Sequence, residues 1–113
     1  MEVILTKRLM LRDFEEEDWK LVHEYALDPE VVRYLDFGPN TEDESKNFIQ
    51  RALVHQKEKP RKDFTLAIVL RATNTLIGGC GIYVTSPDNR EGYIGYVLNR
   101  NFYFWVPAYR LNF

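Results

Sequence analysis

The chain has 113 residues, 45% hydrophobic and 28% charged, which is ordinary usage for one globular domain with a real core. Its 15 Lys and Arg against 17 Asp and Glu leave a net charge of −2, which draws in no polyanion and excludes nucleic acid as a main partner. No apolar run approaches the ~20 residues of a membrane span, and the single Cys80 forms no internal disulfide, so a soluble protein of the reducing cytoplasm with no membrane partner is expected.

The opening "MEVILTKRLMLRDF" breaks into charges before a signal-peptide core forms. Its period-two pattern, with Leu5, Leu9 and Leu11 against Thr6, Arg8 and Arg12, predicts one strand with a wet face. Asp13 and Glu16 have the spacing of a capping box, and Trp19, Val22, Ala26 and Leu27 follow at helical intervals until Asp28-Pro29. Pro29 opens a short second helix, "PEVVRYL", because the first turn needs no N–H there. A third helix begins at Thr41, with Glu44 reaching back to its cap and Phe48, Ile49, Ala52 and Leu53 forming the buried stripe.

The period then changes. "DFTLAIVLRAT" is a β-branched apolar run, Thr73-Asn74 a turn, "TLIGGCGIYVT" a second run, Ser86-Pro87-Asp88-Asn89 another turn, and "EGYIGYVLN" a last strand with Glu91, Tyr93, Gly95 and Val97 on one face. The predicted class is α+β, order β-α-α-α-β-β-β, in one domain spanning 1–113 with a mainly antiparallel sheet and helices against it. The glycines of "GGCG" read as close backbone approach within a sheet, since no Lys-Ser/Thr pair follows to make a phosphate loop. Cys80 has no basic neighbour and reads as a buried thiol; Tyr96 reads as core. His23 and His55 lack a third ligand, so no metal site is expected and both read as surface residues.

Thr6 to Arg12, the helix after it, "TLIGGCGIY" and above all "GYIGYVLNRNF" together resemble the GNAT N-acetyltransferase superfamily, in the branch that acetylates ribosomal proteins and other amines. The resemblance covers residues 5–102. It implies an acetyl-CoA-dependent transferase acting on a protein N-terminus or small amine, with the pantetheine arm of acetyl-CoA held by free backbone groups at Val97, Leu98 and Asn99. An extended arm can be gripped like one more strand, and main-chain donors there also stabilise developing oxyanion charge. A base must take the amine proton. The family often places a glutamate where this chain has Tyr93, and Glu91 stands two residues earlier on the same face; both are candidate catalytic residues, the plainer reading of Glu91 being a solvated carboxylate beside a turn. Tyr34 and Phe37 are candidates for the acceptor pocket, or for the core.

Beyond Asn101 the pattern departs from the family, whose Trp-Gly-x-Gly entry wraps the coenzyme A pyrophosphate. Here Phe102-Tyr103-Phe104-Trp105-Val106-Pro107 offers no glycine and loses a donor at Pro107, which puts acetyl-CoA binding in doubt. One G restored at the Trp105-Val106 codon junction gives Trp-Gly, so a frameshifted ending and a domain incomplete at its C-terminus are expected. A tail selected as an apolar closing segment is the alternative, and a non-catalytic binding or dimerisation module is the alternative function. The strand "GYIGYVLN" would then be an uncovered edge, from which a homodimer or higher oligomer is expected, with the aromatic tail at or beside the interface.

Overall fold

The computed structural model describes residues 3–33, 35, 37–86 and 91–102, with 83–86 and 91–94 described by their backbone alone. The strands are β1 (Ile4–Leu5), β2 (Leu9–Asp13), β3 (Asp63–Leu70), β4 (Thr75–Ser86) and β5 (Glu91–Leu98). The helices are α1 (Trp19–Ala26), α2 (Pro29–Val32) and α3 (Glu42–His55), with 3-10 turns at Glu16–Asp18 and Arg100–Phe102. All five strands join one antiparallel sheet in the spatial order β1-β2-β3-β4-β5. The α+β class and its antiparallel sheet are as the periodicity predicts.

The single first strand is not. Thr6 turns the chain back on itself: its N–H donates to the Leu9 carbonyl at 2.8 Å and its hydroxyl accepts the Leu9 N–H at 3.0 Å. The result is a hairpin pairing Ile4 with Leu11 and Leu5 with Met10, so that Leu9 and Leu11 are buried while Leu5 on the other limb is 58% exposed. A hydroxyl that bonds its local backbone competes with the strand ladder.

The first helix start also differs from the predicted Asp13–Glu16 pairing. Asp18 accepts the Glu15 N–H at 2.7 Å and is gripped by Arg12 through two bonds of 2.8 and 3.1 Å. Asp13 instead takes a two-pronged Arg61 at 2.7 and 3.3 Å. Arginine forks on carboxylates are among the stronger polar contacts. Together with Gln56, which donates to the Phe14 carbonyl at 3.0 Å, they lock the end of β2 to α1, α3 and β3.

On α1 the buried residues are Val22, Tyr25 and Ala26, at i, i+3 and i+4, whereas Leu27 is 45% exposed just past the helix end. At α3 the capping box forms as expected, Thr41 Oγ1 accepting the Glu44 N–H at 3.2 Å and Glu44 accepting the Thr41 N–H at 2.9 Å. Ile49 and Ala52 are buried, with Phe48 and Leu53 packed beside them. His23, expected at the surface, is half-buried and bonds Ser45 Oγ at 2.8 Å through Nδ1, tying α1 to α3; His55 meets Glu58.

The helices cover one face of the sheet. Phe14, Val22, Tyr25, Ile49 and Ala52 pack there on Ala67, Val69 and Leu76. The opposite face buries Leu9, Leu11, Leu66, Ile68, Ile77, Cys80 and Leu98 in a second cluster to which no residue of α1–α3 contributes. Tyr34, the predicted turn residues Pro87, Asp88 and Asn89, and the tail from Tyr103 onward, on which the frameshift and tail-packing expectations rest, lie outside the described residues.

Candidate functional site

Between the helical layer and the C-terminal strands lies an open cleft of about 890 Å³. Its floor comes from a run of small residues. Gly81 pairs with Gly95 and Gly79 with Val97 across β4 and β5, and a Cβ at Gly81 or Gly95 would meet nothing within 4 Å among the described residues. The same spacing without glycine would fill the floor with side chains. Gly78, one residue earlier, is small for a different reason: a Cβ there would stand 2.2 Å from the Val97 carbonyl oxygen, so the two strands approach through it. The "GGCG" run is thus sheet backbone and not a phosphate loop.

The helical wall depends on one turn. Gly38 has φ +80°, a left-handed conformation in which a Cβ would stand 2.9 Å from Val32 Cγ1, and the Asn40 N–H donates to the Ala26 carbonyl at 2.9 Å. The segment between α2 and α3 is thereby folded back on the end of α1, which brings Leu35 and Phe37 to the rim. Phe37 is 40% exposed and lines the cleft, which is the pocket alternative of its two readings. Asp28 joins this wall to the end of β5: one carboxylate oxygen accepts the Glu30 N–H at 3.0 Å and the other pairs with Arg100 at 2.8 Å.

The cleft has two chemically distinct ends. Its exposed mouth carries Glu44, Asn47, Arg51 and Asp63. Asp63 opens β3 and accepts the Thr65 hydroxyl at 2.6 Å. The hydrogen bonds from Thr41 hold the Glu44 carboxyl below its usual range. The inner end is apolar, lined by Val22, Ala26, Gly79 and Val97, with one polar atom, the Tyr25 hydroxyl. Burial, with help from Asp18 and Cys80, pushes the Tyr25 pKa well above that of a free tyrosine. Cys80 is 3% exposed, as expected of an inert thiol, and burial pushes it up to about 11.

Among the described residues β5 is an edge of the sheet. Antiparallel pairing alternates the direction of backbone groups, and the Asn99 N–H donates to the Ile77 carbonyl at 2.7 Å. Val97, two residues back, therefore also faces β4, while Tyr96 and Leu98 turn their N–H and C=O groups outward. Of Val97, Leu98 and Asn99, Leu98 turns its backbone to the open edge, while Val97 and Asn99 face β4. Asn99 is committed inside the fold, its side chain accepting the Asn101 N–H at 3.0 Å. Tyr96, expected in the core, is 45% exposed and lines the cleft. Glu91 and Tyr93 are placed by register opposite Ser86 and Tyr83, and their side chains lie outside the described residues.

The donor set fits an extended arm of alternating amides: outward N–H and C=O groups at Tyr96 and Leu98 run beside a floor that Gly79, Gly81 and Gly95 leave open. Sequence reasoning missed Tyr25, Asp63, Glu44 and Arg51 as cleft residues. Tyr25 is a polar-tipped ring at a buried helical position, and Asp63 a charge opening an apolar strand; those are the signals that could have found them.

Residues 8–109 match the family model described as acetyltransferase (GNAT) domain, and the chain belongs to that family. It is 34% identical over 99 residues to the uncharacterized N-acetyltransferase YnaD of Bacillus subtilis (strain 168), an alignment covering 88% of this chain and 54% of that protein. The fold matches a GNAT-family acetyltransferase of Bacillus anthracis at TM-score 0.72 and 29% identity, covering 88% of this chain and 55% of the other. It also matches, at TM-score 0.70 and 25% identity, covering 89% and 58%, an acetyl transferase of Salmonella typhimurium that modifies the N-terminal serine of 50S ribosomal subunit protein L7/L12. The chain spans about half the length of the curated relatives it matches.

Proposed function

We propose that this chain forms the front half of an acetyl-CoA-dependent N-acetyltransferase that transfers acetyl to a primary amine, a protein N-terminus or a small amine. The observation that carries the reading is the Gly81–Gly95 floor running beside the outward backbone of Tyr96 and Leu98. There the pantetheine arm lies as an added strand. The amine enters from the mouth, where Glu44 and Asp63 favour a cation and Arg51 a nearby anionic group.

The chemistry is one displacement. The amine nitrogen attacks the thioester carbonyl carbon, the C–N bond forms, the C–S bond breaks, and sulfur leaves with the electron pair. The amine proton passes through a base to that sulfur. Glu91 is our proposed base, with Tyr93 two residues further along the same strand; Asp63 is a second carboxylate at the mouth, favoured by its hydrogen bond to Thr65 on the cleft side of β3. A single incomplete domain over 1–113, a homodimer or higher oligomer built on the β5 edge, and a cytoplasmic location suited to a free buried Cys80 belong to the same proposal. Among the described residues no helix is long and apolar enough to cross a membrane.

Isothermal calorimetry with acetyl-CoA tests the reading, followed by mass spectrometry of a serine-initiated peptide incubated with both. Binding and a gain of one acetyl group are expected. Absence of binding would leave the alternative, a non-catalytic module on a partial GNAT fold.

A further inference from the structure

The inner end of the cleft carries one hydroxyl that the fold itself does not use. Tyr25 is 2% exposed, yet its hydroxyl has no hydrogen-bond partner among the described residues. No described side-chain nitrogen or oxygen is both sealed from solvent and unpaired, so this hydroxyl is open to the cleft it lines. Its position is enforced by the sheet. A Cβ on Gly79 would lie 3.2 Å from the Tyr25 oxygen and 3.2 Å from Phe14 Cζ, so glycine at 79 lets the ring rest on the floor, where a side chain would push it back by a few tenths of an ångström. Gly79 in turn faces Val97, one residue before the outward backbone of Leu98.

The surroundings decide what this hydroxyl meets. Val22, Ala26 and Val97 make the inner end apolar, and an ammonium or carboxylate brought there would lose its hydration for one neutral hydrogen bond. The charged acceptor stays at the mouth. A small neutral group with a methyl for the aliphatic wall and one oxygen for the hydroxyl fits, and an acetyl group has that composition.

We infer that the Tyr25 hydroxyl is a catalytic hydrogen-bond donor to the carbonyl oxygen of the acyl group, a role that rests on the acetyl-CoA reading of the cleft. As the amine nitrogen forms the C–N bond, the carbonyl π pair moves onto the oxygen that Tyr25 faces. It returns as the C–S bond breaks and sulfur takes the leaving pair, with the amine proton passing to that sulfur through the base. Tyr25 keeps its own proton throughout, for which its raised pKa suits it. Donors aimed at developing charge in a dry site contribute on the order of 10²-fold or more in rate.

The test uses the full chain and acetyl-CoA labelled with ¹³C at the acetyl carbonyl. Tyr25→Phe keeps the ring and its packing and removes only the oxygen. In difference infrared spectra, the labelled carbonyl band should move to lower wavenumber on binding to the parent chain and lose most of that shift in Y25F, with calorimetry showing acetyl-CoA still bound. Gly79→Ala, which crowds the hydroxyl but retains it, should give an intermediate shift. In turnover, Y25F should lower kcat roughly 10²-fold with KM for the amine unchanged. An equal band shift in parent and Y25F overturns the inference while leaving the acetyl-CoA reading standing. If the parent chain binds no acetyl-CoA, that reading fails first and the inference falls with it.

Discussion

Two glycines in one strand pair should respond in opposite ways to added carbon. In Gly78→Ala the new methyl would stand 2.2 Å from the Val97 carbonyl oxygen, a backbone atom held in the β4–β5 ladder. To restore van der Waals distance β5 must withdraw by roughly 1 Å, which carries the Asn99–Ile77 bond from 2.7 Å beyond hydrogen-bonding range. Overpacking costs about 1–3 kcal/mol and the lost bond about 1 kcal/mol more, so G78A should lose roughly 2–4 kcal/mol. For a domain of this size that is a fall in Tm of roughly 8–16 °C. Gly95→Val places its Cβ where nothing lies within 4 Å among the described residues, and a β-branched residue suits a strand, so stability should change by less than about 1 kcal/mol. The valine would occupy the cleft floor, and acetyl-CoA should bind at least tenfold more weakly. Urea denaturation and calorimetry on both variants give the readings. A G78A chain as stable as the parent, or a G95V chain that unfolds, would refute the reasoning.

Acid should weaken the fold through Asp13. Burial works against its charge, yet the two Arg61 bonds hold its carboxyl below the usual range, so the folded pKa lies below the unfolded value of about 3.9. Its contribution is therefore complete above that value and is lost as pH falls through the folded pKa. The urea midpoint should drop more steeply below about pH 4 in the parent than in Asp13→Asn, and equal slopes would exclude the pair as a cause. Cys80, at about 11, should react with iodoacetamide at pH 7.5 at least ~100-fold more slowly in the native chain than in urea, where a thiol pKa near ~8.5 is restored. Equal rates would show that the thiol is not buried.

Features that depend on neighbours in sequence were legible. The Thr41–Glu44 box, the turn at Thr73-Asn74 where Asn74 takes φ 53°, and the strand reading of "GGCG" each follow from contacts a few residues apart. Thr6 escaped because the alternation on either side of it is the same whether the chain runs straight or doubles back, and only the hydroxyl's bond to Leu9 decides. Asp13 was assigned to a local cap since its partner, Arg61, stands 48 residues along the chain, beyond three helices. Likewise the cleft draws Tyr25, Asp63 and Gly95 from three separate elements, and nothing in the spacing of those residues announces that they converge. The resemblance pointed to β5 as a segment; which of its residues turn outward is decided by the pairing partner of Asn99.

The strands lie side by side in the order in which a ribosome makes them. No strand has to insert between two that are already paired, so each new one finds a finished edge to dock on. Three of the four pairings join strands adjacent in the chain through short connections; only β2 with β3 encloses the helices, a loop of about 50 residues. Closing that loop costs roughly 2 kcal/mol more than closing a four-residue turn, so it is the slow join of the sheet. Once made, β4 and β5 can add by zippering. The glycine floor then appears after the helices, laid under a roof already in place, and the shorter nascent chain has that roof without the floor.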